Sequence, residues 1–186
     1  MNVYDFDKTI YNGDSTFDFY KFCLKRHKGI VKLFPSLAAA YIRYYIFRRG
    51  TKTQFKQTMF KFLRYASYPN DLDDFWELNS AKIKTWYLKI KQSDDLVISA
   101  SPQFLLEPIC KRLGIQPPIA SDVKKETGVY SGINCRDKEK VRRFLEKYPN
   151  GRIDSFYSDG KSDAPLARIA EKAYLVKGDK LVKWKF

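Results

Sequence analysis

Asp5 and Asp7, two carboxylates one residue apart behind the apolar pair Val3-Tyr4, are the residues of this chain best placed to do chemistry. Side chains alternate along a strand, so the two acids would share a face while Phe6 turns the other way, into a core. Like charges that close are costly, and a hard cation held by oxygen ligands, Mg²⁺ above all, relieves the repulsion. Thr9 follows in the same segment. The structural alternative is a turn in which the acids and the threonine only cap a helix.

Three further pieces come after it in a fixed order. Asp95-Leu96-Val97-Ile98-Ser99-Ala100-Ser101-Pro102 is an apolar strand ending in serine, with a helix start behind it. Lys138-Glu139-Lys140-Val141-Arg142-Arg143-Phe144 opens a basic helix. Ile153-Asp154-Ser155-Phe156-Tyr157-Ser158-Asp159 is another strand, running into a loop that also carries Asp163. In open parallel sheets ligands bind at the carboxyl ends of strands, where all of these candidates fall.

In order and spacing the four pieces resemble the motifs of the haloacid dehalogenase superfamily: DxDxT, a Ser or Thr at a strand end, a Lys, and an aspartate pair in a loop. The likeness covers nearly the whole chain and is greatest to subfamily IB, the phosphoserine-phosphatase-like branch, which has a helical C1-type cap inserted after the first motif. The resemblance implies an α/β fold, a Rossmann-like three-layer parallel sheet core with an inserted all-helical cap domain. The core would be 1–12 and 89–186, the cap 13–88. It also implies a Mg²⁺-dependent phosphatase that hydrolyses a phosphomonoester through an aspartyl-phosphate on Asp5. Asp7 would protonate the leaving alkoxide, then activate water, and its main-chain carbonyl would join the metal shell. Asp159 would be a direct Mg²⁺ ligand, and Asp163 a ligand through water or a residue orienting the shell.

Two of the motifs leave a choice. Ser99, directly behind the apolar run, matches the phosphate-binding hydroxyl of the family, whereas Ser101 before Pro102 has the look of a helix N-cap. On this reading Ala100 and Ser101 donate main-chain N–H groups to phosphate at the helix mouth. The family commonly has two glycines where Ala100 and Ser101 stand, and one where Ser158 stands. Lys138 and Lys140 compete for the cation that stabilises the phosphoryl oxygens. Val141-Arg142-Arg143-Phe144 matches the residues directly after the family's lysine, which selects Lys140.

Composition narrows the alternatives. The 186 residues hold one core with a modest insertion, and 44% hydrophobic content excludes a disordered chain. Cys23, Cys110 and Cys135 are widely spaced and odd in number, so they read as buried thiols in a reducing, cytoplasmic compartment rather than a disulfide or zinc framework. The first strand begins at once, which leaves no room for a cleavable signal peptide. His27 is the only histidine, and its place in a basic run at a helix end reads as solvated, so acid–base work falls to carboxylates or lysine.

The net charge of +14 is unevenly placed: between Phe19 and Asn70 there are twelve Lys or Arg and no Asp or Glu. Such a segment attracts anions: a small phosphorylated substrate, or an anionic membrane face. Phosphoserine needs a carboxylate for its ammonium, which only Asp14 or Asp18 would supply. Certain relatives in the branch act on phospholipid phosphates such as phosphatidylglycerophosphate, and a basic, aromatic, apolar cap suits a peripheral place at a bilayer. A non-enzymatic module that stacks nucleic acid on its aromatics is the reading from another class. The intact acidic set argues against it, and no nucleic acid is expected. The chain sets neither the natural substrate nor the oligomeric state.

The elements expected to position these groups are a strand over 1–11 and a helix from Phe17 to about Arg26. An apolar helix comes next over Ile30–Phe47, too charged to span a membrane and read either as buried in the cap or as touching a bilayer. Another helix covers Phe55–Leu63, and one capped by Asn70 runs through Ile83 and Trp86 to about Lys91. Beyond Asp94 strand and helix alternate. After the strand ending at Ser99, a helix runs from Pro102 to Gly114; then come a short strand at 119–122, a hairpin at 123–130 and a helix over 137–147. A strand at 153–158, a helix at 163–172 and a strand at Ala173–Val176 close the unit.

Overall fold

A computed structural model describes residues Met1 to Phe186, the side chain of Lys52 excepted. Six strands form one sheet in the order β3-β2-β1-β4-β5-β6: β1 (Asn2–Tyr4), β2 (Leu96–Pro102), β3 (Ile119–Ser121), β4 (Ile153–Ser158), β5 (Ala170–Lys177) and β6 (Lys180–Lys183). All neighbours run parallel except β5 and β6. The chain leaves β1 toward β2 and β3, then returns to its other side for β4. Strand order therefore reverses between β1 and β4, where a ligand crevice is expected at the carboxyl edge.

Alternation along the strands builds the layers. Val3, Leu96, Ile98 and Phe156 point to one face, packed with Phe144 of α7 (Lys138–Lys147) and Leu166 of α8 (Ala164–Ile169). Tyr4, Val97 and Tyr157 point to the other, with Leu105 and Ile109 of α6 (Gln103–Leu113). Both faces are covered, as an all-but-parallel sheet requires. Gly114 ends α6 in the left-handed conformation, φ 67°. The three cysteines are free and buried.

Between β1 and β2 the chain is helical: α1 (Ser15–Arg26), α2 (Phe34–Tyr41), α3 (Lys52–Phe60), α4 (Asn70–Asn79) and α5 (Thr85–Ile90), joined by 3₁₀ turns and by a π-type turn at Ile42–Ile46. Its Phe19, Phe62, Phe75 and Trp76 share one continuous core with Tyr4 and Phe6 of the sheet side. Phe6 is fully buried, its ring 5.9 Å from that of Trp76, as expected, but the strand expected over 1–11 ends at Tyr4, so Phe6 reaches the core from a turn.

Several expectations are corrected. The stretch for which burial in the cap was one reading is exposed: from Lys28 to Phe47 only Ile30 is buried, and α2 has no buried residue. Leu33 and Leu37 merely lean on the core. The helix expected to run from Asn70 to Lys91 breaks after Asn79, and Leu78 is exposed. The break has a tertiary cause: Asn12 N–H donates to Lys82 O and Lys84 N–H to Ile10 O, each at 2.8 Å, so the loop after β1 takes these main-chain groups. Pro69, not Asn70, is the cap of α4. The helix expected at 163–172 ends at Ile169, its tail belonging to β5. The antiparallel β6 was not foreseen, since every residue of Lys180–Lys183 is exposed and carries no buried alternation.

His27 is also not simply solvated. Its Nε2 lies 2.7 Å from Oδ2 of buried Asp71, which also accepts from Ser67 N–H at 2.6 Å. No described helix is long and apolar enough to cross a membrane.

Candidate active site

The carboxyl edge of β1, β2 and β4 opens into a cleft of about 360 Å³, walled by Asp5, Asp7, Ser99, Ala100, Ser101, Lys140, Asp159 and Asp163. Every residue singled out in the four motifs lines it except Lys138, which is exposed, and Thr9 and Ser158, which are buried. The helical insertion closes the other side with Tyr45, Phe55, Lys56 and Met59.

Asp5 is fixed by its main chain, whose N–H continues the β1–β4 ladder to Tyr157 O at 2.9 Å. One carboxylate oxygen, Oδ1, accepts from Lys140 Nζ at 2.8 Å. The same ammonium donates to Asp163 Oδ2 at 2.9 Å, and Ser158 Oγ donates to that oxygen at 2.7 Å. Burial pushes the Asp5 carboxyl up to about 7, against the lowering by Lys140 and with a further rise from Asp163. Burial also disfavours the charge on Lys140, but Asp5 and Asp163 outweigh it and hold the ammonium above its ordinary value. A cation bound beside Asp5 would add positive charge and favour its carboxylate form.

Asp7 faces the other way around the cleft. Its Oδ1 accepts from Ser15 N–H at 2.7 Å and its Oδ2 from Ser101 Oγ at 2.5 Å. Burial raises its pKa and Asp14 adds to the rise, while Ser101 and Ser15 pull it back. A raised carboxyl in such a cleft suits a group that must give a proton and then take one. The loop behind it is pinned: Lys8 has φ 59°, and its carbonyl accepts from buried Lys84 Nζ at 2.7 Å.

Ser101 is thus no helix N-cap. β2 runs on to Pro102, whose φ and ψ are extended, and the Ser101 hydroxyl serves Asp7 instead. Its N–H turns to Ser99 Oγ at 3.2 Å. Among the described residues Ser99 Oγ donates to nothing, which leaves its proton for a ligand in the cleft. Neither the Asp7–Ser101 pair nor the Ser15 amide was foreseen. The pair spans 94 positions, and no local pattern encodes it. Thr9, the last residue of the first motif, accepts from Asp159 N–H at 3.0 Å and ties the first motif to the fourth.

Asp159 keeps its carboxylate in the cleft; burial raises its pKa and Lys8 lowers it. Among the described residues no three His, Cys, Asp or Glu side chains gather as a ready cage for a metal. Mg²⁺ does not need one, since it keeps several waters and takes one or two carboxylates. The donor set fits such an ion: Asp5, Asp7 and Asp159, which offer hard oxygens, all line one cleft. Asp163, held by Lys140 and Ser158, is suited to orienting that shell.

A family model described as haloacid dehalogenase-like hydrolase matches residues 3–168. The protein CicA of Caulobacter vibrioides is 29% identical over 94% of this chain and 85% of its own length. Among solved structures, a Bordetella pertussis protein of unknown function superposes with a TM-score of 0.73 at 18% identity, covering 93% of this chain and 87% of that one. A substrate-bound phosphoserine phosphatase superposes with a TM-score of 0.59 at 13% identity, covering 92% and 82%. At such identities these structures speak for the fold.

Proposed function

The chain belongs to the haloacid dehalogenase-like hydrolase family, and from that premise we propose that it is a Mg²⁺-dependent phosphomonoesterase working through an aspartyl-phosphate on Asp5. The observation that carries this reading is the buried Lys140 ammonium shared between Asp5 and Asp163 at the floor of the cleft. A cation fixed there beside a carboxylate is what a phosphoryl group entering the site needs.

An Asp5 carboxylate oxygen attacks phosphorus, and the bond from phosphorus to the ester oxygen breaks. Asp7 delivers its proton to the departing alkoxide, then removes one from the water that attacks phosphorus, which breaks the bond to Asp5 and frees inorganic phosphate. Ser101 and the Ser15 amide hold Asp7 in place for both transfers. Lys140 and the Ser99 hydroxyl hold the phosphoryl oxygens, with the main chain at Ala100 and Ser101 beside them. Asp5, Asp159 and the Asp7 carbonyl would hold Mg²⁺, which when bound offsets repulsion between carboxylate and phosphate. Residues 13–88 act as the cap, a lid that excludes water during the transfer. Free, buried thiols fit a reducing compartment, and we place the protein in the cytoplasm.

Phosphate release from a panel of small phosphomonoesters, with Mg²⁺ and with chelator, tests the reading. Metal-dependent release supports it; no release from any ester, or release indifferent to chelator, contradicts it.

A second reading, a phospholipid phosphate met at a membrane surface, rests on one observation. Tyr41, Ile42, Tyr45, Ile46 and Phe47 are exposed together on the insertion, beside Arg43, Arg48 and Arg49. Clustered apolar side chains rimmed by cations suit the headgroup region of an anionic bilayer. Tyr45 also lines the cleft, so that surface reaches the site.

A further inference from the structure

Arg136 lines the cleft, yet its guanidinium makes no hydrogen bond or ion pair with any described residue. Its neighbours along the chain behave otherwise: Arg142 and Arg143 are both tied to Glu139 at 2.8 Å. None of the acids of the cleft takes its hydrogen bonds from Arg136 either. Asp5 and Asp163 share Lys140, Asp7 is served by Ser15 and Ser101, Asp14 accepts from Phe17 N–H, and Asp159 is left for a metal.

The chain also holds this arginine in an unusual place. Asp137, next to it, has φ 56° and ψ −129°, a conformation that a side-chain-bearing residue avoids, and such strain persists where surrounding contacts impose it. Arg136 O accepts from Glu139 N–H and Asp137 O from Lys140 N–H, both at 3.1 Å. One strained turn thus carries both Lys140, on the floor beside Asp5, and Arg136, at the exposed rim.

We propose that Arg136 is a specificity-determining residue, and that the substrate is a phosphomonoester bearing a second anionic group a few atoms from the phosphate. This rests on the phosphatase reading above and adds the chemical class of the leaving group. A guanidinium without a partner offers a planar, bidentate fork to a phosphate or carboxylate oxygen pair. The second anion has two sources, a soluble bis-anionic ester or the phosphodiester of a lipid that also ends in a phosphomonoester, and the chemistry is common to both.

Calorimetric binding in Mg²⁺ buffer tests this on the full chain carrying Asp5→Asn, which blocks turnover. The probes are propyl phosphate, propane-1,3-diol bisphosphate, and a short-chain glycerolipid carrying both a phosphodiester and a terminal phosphomonoester. At least one bis-anion should bind about tenfold more tightly than propyl phosphate, as expected for a charged hydrogen-bonded contact. Adding Arg136→Ala should cut that advantage below about threefold, while Arg136→Lys retains part of it. Preference for the soluble or the lipid probe identifies the source. Equal affinity for mono- and bis-anions, or an advantage that survives Arg136→Ala, overturns the inference. Binding of none of the three contradicts the phosphatase reading itself, and the inference falls with it.

Discussion

Lys140 Nζ lies 2.8 Å from Asp5 Oδ1, joining residues 135 positions apart in the chain, and both are buried. The contact is made because α7 packs against β2 and β3, on the sheet face where its Phe144 shares a core with Val3 of β1. Asp163 completes the arrangement from the far side of the ammonium.

Losing this ammonium should disable the site. Lys140→Ala should lower kcat at least about a hundredfold, since it removes a preorganised charge and leaves two buried carboxylates without their cation. Lys138→Ala, exposed and outside the cleft, should leave turnover within about twofold. Steady-state kinetics on the two variants checks this, and the reverse order would transfer the role to Lys138.

The two serines should separate by function. Ser101→Ala removes the hydroxyl that orients Asp7 and should reduce kcat by about tenfold with little change in KM. On the proposed role of Ser99 in holding phosphate, Ser99→Ala should raise the inhibition constant for inorganic phosphate as well as lower kcat. Product-inhibition constants measured on both variants distinguish them.

Glu139 should stabilise the fold in a pH-dependent way. Hydrogen bonds from Arg142 hold its carboxyl down at about 2, with burial opposing and Arg143 helping. A folded pKa below the unfolded one gives stability that is full above the unfolded value and is lost as pH falls toward the folded one. Glu139→Gln should therefore cost about 2 kcal/mol at neutral pH, with the difference shrinking between about pH 5 and 2. Denaturant unfolding at several pH values reads it out.

The motif residues were legible because each sits at a strand end or first helical turn, where short apolar runs and their stops are local signals. Asp5, Ser99, Lys140 and Asp159 all reach the cleft their motifs implied. The features that stayed hidden depend on distant partners. Ser101 looked like a cap because Pro102 comes after it, but β2 continues and Asp7, remote in sequence, takes its hydroxyl. The break after Asn79 is imposed by the loop after β1. For Ile30–Phe47, apolar composition without a clear stripe favoured burial in the cap over contact with a bilayer, and only packing decides for exposure.

That exposure gives the membrane reading its test. Binding to anionic vesicles should exceed binding to neutral ones at low salt and weaken at high salt, with about 1 kcal/mol from each basic residue at the surface. Ile46→Ser with Phe47→Ser should reduce binding at both salts, since these are among the most exposed apolar side chains of the insertion. Equal, negligible pelleting with both vesicle types would leave a lid serving a small soluble ester.

The most direct test of the account is the nucleophile. Asp5→Asn keeps shape and most hydrogen bonding but removes the attacking carboxylate, so phosphate release from the best ester should fall at least about a thousandfold while the thermal unfolding transition stays in place. The unaltered protein, quenched in acid during turnover and digested, should yield a phosphorylated peptide containing Asp5. Near-normal turnover by Asp5→Asn, or phosphate trapped on any other residue, would contradict the account.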